Sequence, residues 1–266
     1  MNLLPASALA HVLRTGGVAC IGLVPFSVSA ELSNDSLIGP GLRSRPAYDG
    51  SNSQYLELVP VVRYFGQRWF VRSTQGVLEA GARTEVLPGL HAGAQVAYEP
   101  GRQVGQSSFL ESHNVAGIKR GGSVGLHMEW DHTVGPVPLT LLGRVRKNID
   151  SDLGTQLDLR LSAGVVQSGP FAAGVFAQAV WASAKSTAAY YGITSQQSAT
   201  TRLPGFQPGS GWLNTSVGLL WSVELTPKWV VVGSLERRRL RGDAARSPLA
   251  QQSSNNYVSA GVAYRF

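Results

Sequence analysis

Leu157, Leu159, Leu161, Ala163 and Val165 alternate with Gln156, Asp158, Arg160 and Ser162, so one face of this stretch is apolar and the other starts wholly polar. A period of two puts successive side chains on opposite sides of an extended strand, which a helix cannot do. The pattern recurs along the chain. Val137, Leu139, Leu141 and Val145 oppose Thr140, Arg144 and Arg146, and Val124, Leu126, Met128 and Trp130 oppose Ser123, His127, Glu129 and Asp131. Val217, Leu219, Trp221, Val223 and Leu225 stand against Ser222 and Glu224. Segments of this kind predict about twelve strands of 8–15 residues from position 36 onward, and no convincing helix. In water they would build a sandwich with its charges outside. In a bilayer they would build a barrel with its charges inside.

Three features favour the barrel. The chain ends YVSAGVAYRF, with Val258, Ala260, Val262, Tyr264 and Phe266 on one face and Tyr257, Ser259, Gly261 and Arg265 on the other. That is how outer-membrane barrels of Gram-negative bacteria close, and Tyr264 and Phe266 are the expected signature for the barrel-assembly machinery. The first thirty residues hold Arg14 and no acid, an apolar run over 17–26, and Val28-Ser29-Ala30 where a signal peptidase reads small residues. Residues 1–30 are therefore expected to be a signal peptide and 31–266 the barrel; Cys20, the single cysteine, leaves with the leader. Finally, short connections at 66–67, 88–89, 133–136, 168–170 and 226–227 alternate with long ones at 43–53, 101–117, 185–212 and 241–253, as periplasmic turns and outer loops do. Two outer connections, near Thr74 and Asp150, are short.

Composition agrees with an alternating wall: mean hydropathy is near zero, 15% of residues are charged and 31 are glycine. The net charge of +7 points, in an exported chain, to outer-membrane lipid and anionic lipopolysaccharide or peptidoglycan rather than to nucleic acid. Aromatics at predicted strand ends, among them Tyr64, Phe65, Trp69, Trp130, Phe171, Trp181 and Trp229, suit two interfacial girdles.

The segment YYGITSQQSATTRLPGFQPGSGW, from Tyr190 to Trp212, resembles the corresponding loop of the MipA/OmpV family of outer-membrane proteins. RLRGDAARSPL, from Arg239 to Leu249, is similar to that family's L-L-G-D-A-A-D-S-P, and RPAYDGSNSQY, from Arg45 to Tyr55, to its P-x-Y-x-G-S. Departures at Thr201-Arg202, Arg241 and Arg246 make these loops more basic. The resemblance implies an integral outer-membrane barrel. Through one member it implies a scaffold joining a murein lytic transglycosylase to a bifunctional peptidoglycan synthase, and through others an adhesin-like or immunogenic surface role.

The inward charges predict a lumen network of Glu129, Asp131, His127, Arg144, Arg146, Asp158 and Arg160, with His127, Glu129 and Asp131 pairing to Arg144 and Arg146 of the next strand. Further inward carboxylates (Glu57, Glu79, Glu85, Glu99, Glu236) and arginines (Arg63, Arg72, Arg83, Arg238) nearly balance, which predicts a largely closed barrel. Tyr190, Tyr191, Phe206 and Trp212 are the outer-loop candidates for an interaction surface, with packing of the loop onto the rim as the alternative. A hydrolase would have to use His127 with Ser123, or His113 with Ser107, Ser108 and Glu111; no nucleophile elbow and no metal-ligand spacing accompany them. The expectation is a non-enzymatic scaffold without catalytic residues, metal or cofactor, with a narrow solute channel as the main rival.

Overall fold

A computed structural model describes residues 35–74 and 76–266; the expected leader, residues 1–30 with Cys20, lies outside the described residues. Twelve strands form one closed antiparallel barrel in simple chain order: β1 (Leu37–Pro46), β2 (Gln54–Phe65), β3 (Trp69–Thr74), β4 (Val77–Leu87), β5 (Leu90–Glu99), β6 (Gly121–Val134), β7 (Val137–Asn148), β8 (Thr155–Ser168), β9 (Phe171–Ala182), β10 (Gly211–Thr226), β11 (Trp229–Leu240) and β12 (Ser254–Arg265). The terminal decamer is the closing strand, running from Leu37 opposite Arg265 to Ser44 opposite Val258. Closure pairs every strand on both sides, the condition for a sheet to sit in hydrocarbon. Arg265 of β12 pairs across the seam with Asp35, just before β1, at 2.8 Å, and on its other side with Glu224 of β10 at 2.5 Å.

A belt of the outer wall is apolar around the barrel. Leu58 is 77% exposed, Leu126 67%, Val217 60% and Leu225 58%, values that only a lipid solvent tolerates over a whole circumference. The connections at 66–68, 88–89, 135–136, 169–170 and 227–228 are all short and lie at one end of the barrel, and every long loop lies at the other, together with the shorter connections after Thr74 and Asn148. Tyr64, Trp69, Trp130, Phe171, Trp229, Tyr264 and Phe266 gather at the short-turn end, where Trp229 and Tyr264 meet edge-on at 5.4 Å. Trp181 lies at the loop end, opposite Trp212. Phe65 departs from the girdle: its ring lies under the Arg83 guanidinium.

One expectation needs correction. The loops do contain helices: α1 (Ser108–Ser112), α2 (Ala184–Tyr191), α3 (Ser195–Thr201) and α4 (Gly242–Arg246). Ser183 caps α2, and Thr194 with Gln197 makes a full capping box on α3, a Thr-x-x-Gln signal that strand periodicity does not register. The lumen is not polar throughout. Leu37, Val61, Val230, Val232 and Ala263 form an inward apolar cluster toward the short-turn end, and Phe70, Leu142 and Phe176 are buried inside the wall. Gly218 lets Phe176 lie across β10, because a Cβ there would stand 2.4 Å from its ring.

Candidate functional site

An unbroken ionic chain crosses the middle of the lumen. Glu129 on β6 accepts from Arg83 at 3.4 Å and from Arg72 at 2.7 Å, and Arg72 donates to Glu79 at 3.1 Å. Glu79 also pairs with Arg144, which grips Asp158 through Nε at 2.7 Å and Nη2 at 2.6 Å. Asp158 lies 3.4 Å from Arg146, and Arg146 donates to Glu99 at 3.1 Å. Arg72 and Glu129, like Glu79 and Arg144, stand three strands apart, about 14 Å along the wall at ~4.8 Å per strand, so these pairs span chords of the lumen instead of lining it. Glu79 and Asp158 are almost wholly buried. Carboxylates desolvated this far stay folded only because each holds two guanidiniums.

The expected members assemble with different partners. His127, Glu129 and Asp131 do not pair with Arg144 and Arg146; those arginines go to Glu79, Asp158 and Glu99, and Glu129 goes to Arg72 and Arg83. Register explains this: Arg144 stands opposite His127, while Leu142 stands opposite Glu129. His127 packs edge-on to Phe70 at 5.0 Å. Asp131 is exposed near the short-turn mouth, accepts from Thr140 Oγ1 at 2.6 Å and stands outside the ionic chain. Arg160 donates to Ser162 and lies over the Phe176 ring at 4.0 Å. Glu85 accepts from the Gly89 N–H in a turn.

The hydrolase candidates are engaged elsewhere. Ser123 donates to Glu99 at 2.7 Å, and Ser107 is the N-cap of α1. His113 Nδ1 lies 3.0 Å from the Phe109 carbonyl and 3.1 Å from Ser112 Oγ.

Above the ionic chain the long loops fold into a cap, held by residues that strand patterning does not single out. Asp49 takes Arg238 at 2.9 Å and the Tyr257 hydroxyl, and its carbonyl accepts from Tyr191. Arg102 donates to the carbonyls of Tyr190 and Ala116, and Tyr48 donates to that of Leu249. Leu110, Val115, Ile193 and Leu249 form a small core that joins three loops. Tyr48, Asp49 and Leu249 lie within the motifs quoted above from 45–55 and 239–249, so the signal that could have found them was the motif and not the periodicity. Between cap and chain is a cavity of about 220 Å³ faced by Arg43, Arg102, Arg146, Asp49, Glu99 and Tyr257. Its mix of fixed cations and anions suits a small polar or zwitterionic solute. Burial pushes the hydroxyls of Tyr48 and Tyr190 up to about 12, so both remain donors at neutral pH.

Burial raises the Asp49 carboxyl, but the Arg238 guanidinium and the Tyr257 hydroxyl outweigh it, and the group sits below its ordinary value. A carboxyl depressed on folding adds stability that is complete above its unfolded value, near ~3.9, and is lost as pH falls through its folded value. Amide protection in the 47–53 loop is therefore expected to hold down to about pH 4 and to fall below it. Hydrogen exchange across that range measures this, and Asp49→Asn should remove the acid step.

Of the four loop aromatics, Trp212 alone is widely exposed, on the outside of the barrel at the loop end. Tyr191 is buried inside the cap, Tyr190 packs against the cluster around it, and Phe206 packs on the core of Leu110 and Leu249 after bridging Ile193. Tyr191 is thus a correction: it holds the cap together and presents nothing to a partner. Tyr264 braces Trp229, and the N–H of Phe266 donates to the Ser36 carbonyl at 3.2 Å.

With this geometry the chain can be set beside known proteins. An outer-membrane channel from Pseudomonas putida F1 superposes with a TM-score of 0.52 over 92% of this chain and all of its own, at 12% identity, which shows the shared barrel fold. The MltA-interacting proteins of Escherichia coli K12 and Shigella flexneri are each 29% identical over 86 residues, 32% of this chain and 34% of theirs. The matched stretch thus spans about a third of those relatives' length. The family model described as MltA-interacting protein MipA matches residues 38–266, from the first strand to the last residue. This chain is an outer-membrane β-barrel, and it belongs to the MltA-interacting protein MipA family.

Proposed function

We propose that this barrel is a non-enzymatic docking protein for a murein lytic transglycosylase at the inner face of the outer membrane, and that its lumen does not conduct. Membership of the family over residues 38–266 carries the reading, since relatives within it are named for interaction with MltA. The lumen supports it: the ionic chain and the apolar cluster occupy the space a solute path would need. The engagement of Ser123, Ser107 and His113 in structural hydrogen bonds supports the absence of a hydrolytic centre. A peptidoglycan synthase as second partner is part of the same proposal.

The partner would approach from the periplasm, where the short turns and the girdle of Trp69, Trp229 and Phe266 lie. The test is binding of a purified MltA-type transglycosylase to the barrel in lipid nanodiscs, followed by planar-bilayer recording of the same preparation. Saturable binding with no unitary current is the expected result. Stable currents without transglycosylase binding would replace the docking reading by a narrow channel.

A further inference from the structure

We infer that the outer half of the β10–β12 wall is a binding site for a glycolipid of the outer leaflet that carries two phosphates and several acyl chains. The antiparallel register sorts the lipid-facing side chains there into rows. Thr215, Arg239 and Ser254 form the row nearest the loops, and Val217, Arg237 and Asn256 the next. Leu219, Leu235 and Val258 form the third, where the wall turns wholly apolar. Arg241 follows directly and donates from Nε to Thr215 Oγ1 at 3.0 Å. Three guanidiniums thus rise along one strand edge, at about 7 Å per two residues.

These arginines point away from the lumen and its carboxylates. Arg238, between them in sequence, and Glu236, just before them, face inward, where Arg238 pairs with both Glu236 and Asp49. Among the described residues Arg237 and Arg239 make no ion pair, and no carboxylate occupies the three rows. On the loop side, Asp243, two residues after Arg241, is held by Arg246 and the Gly209 N–H. A lipid-facing arginine is costly near the bilayer centre and close to neutral near the interface, where its stem lies on apolar wall and its head reaches a phosphate. Two arginines inside the strand, with a third at its end, match a headgroup bearing more than one phosphate, since guanidinium pairs bidentately with that group.

Below the arginines the wall is hollowed into a shallow trough of about 800 Å³, bordered by Leu161, Val175, Val217, Leu235 and Val258, with Arg237 and Asn256 at its edge. Ala177 makes the hollow: it stands in register between Leu161 and Val217 and leaves the space their larger side chains enclose. Acyl chains fit the trough while the phosphates meet the arginines, so charge and shape select the same molecule.

The test titrates the detergent-purified chain with rough-type lipopolysaccharide, the same lipid after enzymatic dephosphorylation, phosphatidylglycerol and inorganic phosphate, read by native mass spectrometry. Lipopolysaccharide should bind most tightly, and R237Q/R239Q/R241Q should weaken it about 100-fold while heat-modifiable migration shows the barrel still folded. Ala177→Phe should weaken it by filling the trough with every arginine in place, and Lys147→Gln, on the distant β7 wall, should leave it unchanged. Equal binding of the dephosphorylated lipid or of phosphatidylglycerol, displacement by millimolar phosphate, or unchanged affinity in the triple variant would each overturn the site.

Discussion

Asp158→Ala is expected to destabilise the folded barrel by about 3–5 kcal/mol, the usual cost of removing one partner of a buried ion pair. Asp158 is fully buried, accepts a hydrogen bond from Arg144 Nε, and forms ion pairs with Arg144 Nη2 at 2.6 Å and Arg146 Nε at 3.4 Å. Without it two guanidiniums remain in the wall, with Glu79 and Glu99 left to serve one each. The urea midpoint for unfolding from detergent micelles measures the loss. An Asp158→Ala/Arg144→Met double variant should recover part of it, because the loss comes from the stranded charge more than from the missing attraction. A single variant within about 0.5 kcal/mol of the wild type would mean that water reaches these groups and the chain is not a dry plug.

The second large effect concerns passage. Replacing Arg72, Glu79, Glu129 and Arg144 together by glycine removes the side chains that span the lumen and, on the non-conducting reading proposed above, is expected to produce steady unitary currents in a planar bilayer where the wild type gives none. Charges are lost in equal number, two of each sign, so any current reports opened space and not a changed field. A variant as silent as the wild type would place the seal in the Leu37, Val230 and Ala263 cluster instead. The two experiments are complementary, since one asks what the chain does for stability and the other what it does for transport.

The strands were legible because period two is a local property. Leu126, Val217 and Val258 lie on the lipid face and Glu129, Arg144 and Asp158 on the lumen face whatever their neighbours, since a strand in register has only two sides. Connection lengths added orientation, and the terminal decamer added closure. The loop helices stayed hidden, because α2 and α3 carry no amphipathic stripe and announce themselves only through caps at Ser183 and Thr194. Tyr191 read as a surface candidate for a related reason: a loop aromatic next to a glycine looks the same on a rim as in the core of a cap.

Alternation and turn spacing act within a few residues, so the side of the wall a strand residue faces, the number of crossings and the closing strand can all be read locally. Which charges meet is settled by the closed barrel. Glu129 joins Arg72, 57 residues earlier, and Glu79 joins Arg144, 65 residues later, because the closed barrel brings walls three strands apart within reach of a guanidinium. It likewise decided that Asp49 would hold Arg238 and Tyr257 beneath the cap. Partner choice in a barrel is set by register and curvature, and neither is a property of any segment alone.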